Sequence, residues 1–272
     1  MRITERHPPA FFHGAVLRSG RLASAVAARC HTLLLALMLA VSLLTGSISP
    51  TAHAVKLALV TENTPPTNMI ENGKMIGPNT DKVRELMLRA KVDFTLTTLP
   101  WKRAYLMATQ TVDTCIYPAT RTAEREALFH WIGPVNTVEW LLYAAADRPL
   151  RLENIEQARP YLIGTYLGDA RDEFFRSRGF QVESVVDDLL NPKKLLVHRI
   201  DLWAASRTKG KLLLQQNGWS EKIVPVLSFN TVDLYLACNI NTAPELAKRL
   251  NGLFGEIKAD GTFKAIEKQY AY

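Results

Sequence analysis

The sequence predicts an α/β fold in two units, each a mostly parallel sheet flanked by helices. Three observations carry this reading. From Val55 onward, short β-rich runs alternate with stretches of helical period. The alternation gives a strand–helix–strand–helix–strand order, and that order restarts near Glu139. Polar and charged residues also gather just after several strand-like runs, where ligands of open α/β sheets collect.

The elements follow in order. "VKLALVT" reads as a strand, and "TDKVRELMLRAK" as a helix with Val83, Leu86, Met87 and Ala90 on one face. "VDFTLTTLP" is a strand ended by Pro100, "KRAYLMATQ" a helix and "DTCIYP" a third strand. In the second unit "EWLLYAAAD" is a strand and "RPYLIGTYL" contains another ending at Gly168. "DARDEFFRSRG" is a helix closed by Gly179, followed by strand "QVESV", helix "NPKKLLVHR" and strand "IDLWAAS". After the apolar "KIVPVL" comes strand "TVDLYLACNI". The run "TAPE", Thr242 to Glu245, has the form of a capping box opening the helix "LAKRLNGLFGEIKA". A turn at Asp260-Gly261 leads to a closing helix, "TFKAIEKQY".

Charge excludes one class of partner. The formal net charge is +7, but residues 1–54 hold five arginines and a single acid. The remaining 28 basic and 25 acidic residues leave a net of +3, too little and too scattered for a nucleic-acid surface. Those first residues read as an export leader. Arg18, Arg21 and Arg29 precede the apolar run Leu33 to Leu44, and Ala52-His53-Ala54 forms a small-residue cleavage site before Val55. An apolar run of about a dozen residues is short for a bilayer span. Export to the periplasm, with cleavage after Ala54, is the expectation. Cys115 and Cys238 then remain, either bridged in an oxidising compartment or left as buried thiols in their apolar runs. His130 and His198 have no second metal ligand near them in sequence, so no metal or other cofactor is expected.

The stretch "IYPATRTAERE" places Arg121 and Arg125 just past a strand, where they have no obvious packing role. Taken with "NGKMIGPNTD", "GTYLGDA", "LLVHRIDLW" and "FGEIKADGTFKAIEKQY", in that order, it resembles the periplasmic solute-binding proteins of family 3. These are the amino-acid-binding components of ABC importers. The resemblance covers essentially all of 55–272, and its most specific piece is "KADGTFKAIEKQY". It implies a two-lobed periplasmic-binding-protein-like fold of type II, joined by two hinge crossings. Lobe 1 would be 55–137 with 230–272, and lobe 2 would be 138–229.

By that resemblance Arg125, in the T-x-E-R run, binds the ligand carboxylate, for which the forked guanidinium is suited. Trp101 matches the aromatic that stacks on the ligand, and Thr120 a hydroxyl that donates to the same carboxylate. Tyr117 could line the cleft or serve the core, and Arg121, where the family usually has an apolar residue, is a weaker candidate contact or else a surface arginine. Gly168 and Asp169 sit between a strand and a helix N-terminus, whose free N–H groups suit an anion. Asp169 equally suits a helix cap that would compete for those donors. The family's ammonium-binding aspartate falls at Ser206, a poorer partner, and Glu62 is the candidate to replace that charge.

The leading function is therefore a monomeric, non-catalytic protein that closes on a small carboxylate-bearing solute for an ABC permease. The alternative is an enzyme on the same cleft, resembling cyclohexadienyl or arogenate dehydratases. Its acid or base would come from Glu62, Asp169 or His130, none of them paired in sequence. An exported solute-sensing domain is the third reading.

Overall fold

A computed structural model describes residues 55–148 and 150–270; the leader and its expected cleavage site lie outside the described residues. β1 (Lys56–Thr61) is followed by a small hairpin, β2 (Met69–Glu71) and β3 (Lys74–Ile76), which the sequence reading did not foresee. Then come α1 (Pro78–Ala90), β4 (Asp93–Thr98), α2 (Trp101–Gln110) and β5 (Thr114–Thr120). α1 opens with proline in its first turn, where the missing N–H is no loss, and stops at the left-handed Lys91. Its face of Val83, Leu86, Met87 and Ala90 is buried, as their helical spacing requires.

The second lobe repeats the pattern with β7 (Ile163–Tyr166), α3 (Ala170–Ser177), β8 (Val182–Val185), α4 (Leu190–Leu196) and β9 (Leu202–Ser206). α5 (Arg207–Gln216) was not foreseen, because Gly210 interrupts a short and strongly basic start. The glycine has a packing reason: a Cβ there would lie 2.5 Å from the Tyr143 hydroxyl. α6 (Pro244–Ala259) and α7 (Thr262–Gln269) close the chain. The capping box does not form. Ala243 is the N-cap of α6, and the buried Thr242 hydroxyl instead accepts the Asp113 N–H at 3.2 Å.

β6 (Phe129–Ala145) and β10 (Ile223–Asn239) are 17 residues each and pair antiparallel along nearly their whole length. Both outrun the segments expected for them, since Pro134 and Pro225 interrupt the apolar pattern. The register shifts between Pro225 and Leu227 and again between Ser228 and Asn230 carry β10 past its proline. The full strand order is β4-β1-β5-β10-β6-β9-β7-β8. Pairs β4–β1–β5 and β9–β7–β8 are parallel, and every antiparallel pair of this eight-stranded sheet involves β6 or β10. Two parallel units are thus joined by two long crossing strands.

Each lobe has its own core. Leu57, Leu59, Leu86, Met87, Leu250 and Phe254 fill lobe 1, while Tyr143, Leu195, Trp203 and Leu214 pack one face of lobe 2. Tyr166 belongs to lobe 2 but packs against the lobe-1 cluster of Trp101, Ala104 and Phe129. Cys115 and Cys238 face each other across β5 and β10, fully buried, and form a disulfide that links positions 123 residues apart.

Candidate functional site

Where strand ends of the two lobes meet, the chain encloses a cavity of about 110 Å³. Glu62, Trp101, Tyr117, Thr120, Arg125, Asp169 and Ser206 line it; Arg121 and Gly168 do not. A wider, more open depression of about 460 Å³ adjoins it and shares Glu62, Thr64, Pro65, Tyr166 and Lys209. The first is small on the scale of drug-sized ligand sites, which run from about 300 to about 1,000 Å³, and the second falls within that range.

Arg125 follows β5 in a turn, its N–H bonded to the Thr122 carbonyl at 3.1 Å, ahead of a short 3-10 turn at Glu126–Leu128. Its side chain is only 2% exposed. The guanidinium carbon lies 4.9 Å from the Tyr105 ring centroid and 5.7 Å from that of Trp101. Two of its nitrogens meet the Glu173 carboxylate, Nε at 2.9 Å and Nη2 at 2.8 Å, and Nη2 also donates to the Gly168 carbonyl at 3.2 Å. Nη1 is buried with no protein partner. The fork is thus half occupied by an acid from the opposite lobe and half free.

Trp101 begins α2 directly after Pro100, which fixes its place on the cavity wall. Its indole N–H donates across the gap to the Gly168 carbonyl at 2.8 Å. Gly168 therefore contributes an acceptor to closure, rather than the anion donor expected of it. Tyr117 reaches the wall with its side chain wholly buried, and burial pushes its phenol up to about 12. Thr120 is buried at the end of β5. Arg121 is not the ligand contact expected of it; its surface reading holds. It is exposed on the surface, bidentate with Glu126 at 2.7 Å through Nε, and lies over the rings of Trp131 and Tyr235.

On the lobe-2 wall Asp169 does cap α3, accepting the Arg171 N–H at 2.8 Å. It also accepts from Arg171 Nε at 2.7 Å and Nη2 at 3.0 Å. Burial alone would raise its carboxyl; the Arg171 charge and hydrogen bonds outweigh that and hold it below the ordinary value. Ser206 is committed to capping α5, where it accepts the Lys209 N–H at 3.4 Å. Lys209 Nζ lies 3.0 Å from Asp188, whose carboxylate also accepts the Trp203 indole N–H.

Glu62 follows β1 and stands apart from these pairs. Its Oε1 accepts the Tyr166 hydroxyl at 2.5 Å across the gap and the Trp101 N–H at 3.3 Å, yet no cation among the described residues pairs with it. Burial, then the bond to Glu62, pushes the Tyr166 phenol well up. His130 is not on the cavity wall. The sequence reading missed Tyr166, Arg171, Lys209 and Glu173. Arg171 had a usable signal, a cation in the first turn of a helix, where the backbone dipole disfavours it.

Two parallel α/β lobes, crossed by two long strands and closed over a small charged cavity, have the fold of the periplasmic-binding-protein-like structures. The sequence model of bacterial extracellular solute-binding proteins, family 3, matches residues 57–272, and the chain belongs to that family. Solved structures share the fold at low identity. One is a histidine kinase sensor domain similar to periplasmic binding proteins, with TM-score 0.72, 16% identity, 79% of this chain and 95% of that one. Another is an ancestral arginine-binding protein bound to arginine, with TM-score 0.68, 18% identity, and coverage of 80% and 99%. A third is the arginine-, lysine-, histidine-binding protein ArtJ from Geobacillus stearothermophilus, with TM-score 0.67, 15% identity, and coverage of 79% and 94%. Among curated proteins none matches.

Proposed function

We propose that this protein captures a small carboxylate-bearing solute, an amino acid or related acid, between its lobes, and that its closed form is what an ABC permease recognises. Export through the leader, with cleavage after Ala54, goes with this reading. So does a hinge where β6 and β10 cross between lobe 1, 55–137 with 230–272, and lobe 2, 138–229. The register shift between Ser228 and Asn230 supports placing one bend there. The observation that carries the proposal is the buried Arg125 on the cavity wall, with Nη1 unpartnered and its face covered by Trp101 and Tyr105. A buried guanidinium nitrogen without an acceptor is costly, and a carboxylate oxygen satisfies it.

A thermal-shift screen of the purified protein against amino acids, small acids and polyamines tests this. A ligand at about 100 times its Kd adds roughly 2.7 kcal/mol of stability, which is readily seen. Arg125→Ala should weaken the best hit by roughly 2–5 kcal/mol, about 30- to several-thousand-fold in Kd. Unchanged affinity in that variant, or a response to polyamines alone, rejects the carboxylate assignment. The same incubation tests for enzymatic activity: recovery of the hit chemically altered overturns the non-catalytic reading.

A further inference from the structure

We infer that Arg171 supplies the lobe-2 half of the anion site, so that one anionic group of the solute is gripped between Nη1 of Arg125 and Nη1 of Arg171. This rests on the carboxylate-binding reading above and adds to it a second residue, from the opposite lobe.

Backbone amides at the start of α3 would be the simplest lobe-2 donors, but two of them are already spent. The Asp169 N–H bonds the Tyr166 carbonyl at 3.0 Å, and the Arg171 N–H bonds Asp169 itself at 2.8 Å. The Arg171 side chain stands in their place. It is 9% exposed, lines the same cavity as Arg125, and has Nε and Nη2 held by Asp169. That pair of hydrogen bonds fixes the guanidinium plane, and Nη1 is left buried without a partner. Arg125 repeats the arrangement, with Glu173 on Nε and Nη2 and a buried, unpartnered Nη1. Two orphaned, charged donors on one small cavity are both satisfied by a single carboxylate or sulfonate, which offers separate oxygens. A second anionic group is disfavoured, because Glu62 on the same wall has no cation paired with it among the described residues. The solute class is therefore a small single acid whose remainder is neutral polar or cationic.

The test uses calorimetry on protein purified from expression of the full chain. The probes are the twenty amino acids, betaine, taurine and glutarate, with the primary amide of the tightest single acid as its uncharged partner. Arg171→Gln should weaken the single acid by about 10- to 150-fold, the worth of a hydrogen bond to a charged group. The already weak amide should change little, so the preference for acid over amide should shrink. Asp169→Asn combined with Arg171→Gln should do the same without leaving a lone buried carboxylate. If Arg125→Ala loses affinity while both of these variants bind like the wild type, the Arg171 assignment is overturned and the reading of Arg125 stands. If no probe binds, or Arg125→Ala is silent, both fall. A glutarate affinity tenfold or more above that of every single acid overturns the one-group assignment. Should neither variant fold, Arg171→Lys, which keeps the charge but loses the fork, should bind about tenfold more weakly; wild-type affinity in it overturns the inference.

Discussion

The two walls of the cleft hold their charges in opposite ways. On lobe 2, Arg171 pairs with Asp169 and Lys209 with Asp188, both within the lobe. On lobe 1, Arg125 and Glu62 find their partners across the gap, in Glu173 and Tyr166. With the hinge proposed above, opening leaves the lobe-2 pairs whole and strips those of lobe 1. Lobe 1 is therefore where closure and solute binding draw on the same groups. Lobe 2 offers a wall that is already paired, whatever the angle between the lobes.

The lobes also differ in what holds them together. Lobe 1 is stapled by Cys115–Cys238 across β5 and β10, and the described residues of lobe 2 contain no disulfide. Replacing both cysteines by alanine should cost about 2–5 kcal/mol, given the long loop the bridge closes. Denaturant unfolding should show the loss, and reductant should mimic it in the wild type but not in the variant. Equal stability would mean that β5 and β10 hold without the staple.

Glu173→Gln addresses the cross-gap pair directly. Its carboxylate is 34% exposed, so its loss should shift the solute-free protein toward the open form by about 1–2 kcal/mol rather than by the full cost of a buried pair. Small-angle scattering should then report a larger radius of gyration without solute and a wild-type radius with it. No change in radius would show that the lobes close without this pair.

Acid should weaken the lobe-2 wall through its two depressed carboxyls. The Asp169 carboxyl is depressed in the folded chain by Arg171 despite its burial, and Asp188 by Lys209 and Arg171. Stabilisation from a depressed carboxyl is complete above its unfolded value of about 4 and drains as pH falls through the lower folded value. Circular dichroism between pH 5 and pH 2, limits of order set by that range, should show the wild type losing stability faster than Asp169→Asn, which keeps the helix cap. Parallel curves would remove Asp169 from the account. The smallest effect belongs to Arg121→Ala. Its exposed pair with Glu126 should be worth under about 0.5 kcal/mol, and solute affinity should be unchanged.

Much of the site was legible where the signal is local. Trp101 after Pro100 and Arg125 in its T-x-E-R run both reached the cavity wall. Asp169 before α3 behaved as a helix cap, the competing use weighed for it. Arg121 was left between a contact and a surface reading because sequence places it four residues from Arg125, and only the turn between them sends one side chain inward and the other to Glu126. Arg171 was missed because its role depends on Asp169 taking the amides that an anion would otherwise use. Glu173 is an acid in the first turn of a helix, a place the dipole favours, and that position alone carries no signal of a partner. Its carboxylate instead serves an arginine 48 residues away.

By itself the sequence determined the alternation of strands and helices, the faces they bury and the cap that starts α3. Those depend on residues within a turn or a strand of one another. Only the tertiary structure decided that Cys115 joins Cys238, that Glu62 meets Tyr166 104 residues on, and that two arginines share one cavity. Such contacts join positions whose spacing along the chain carries no periodic signal, and they exist only once the sheet has set the strand ends side by side.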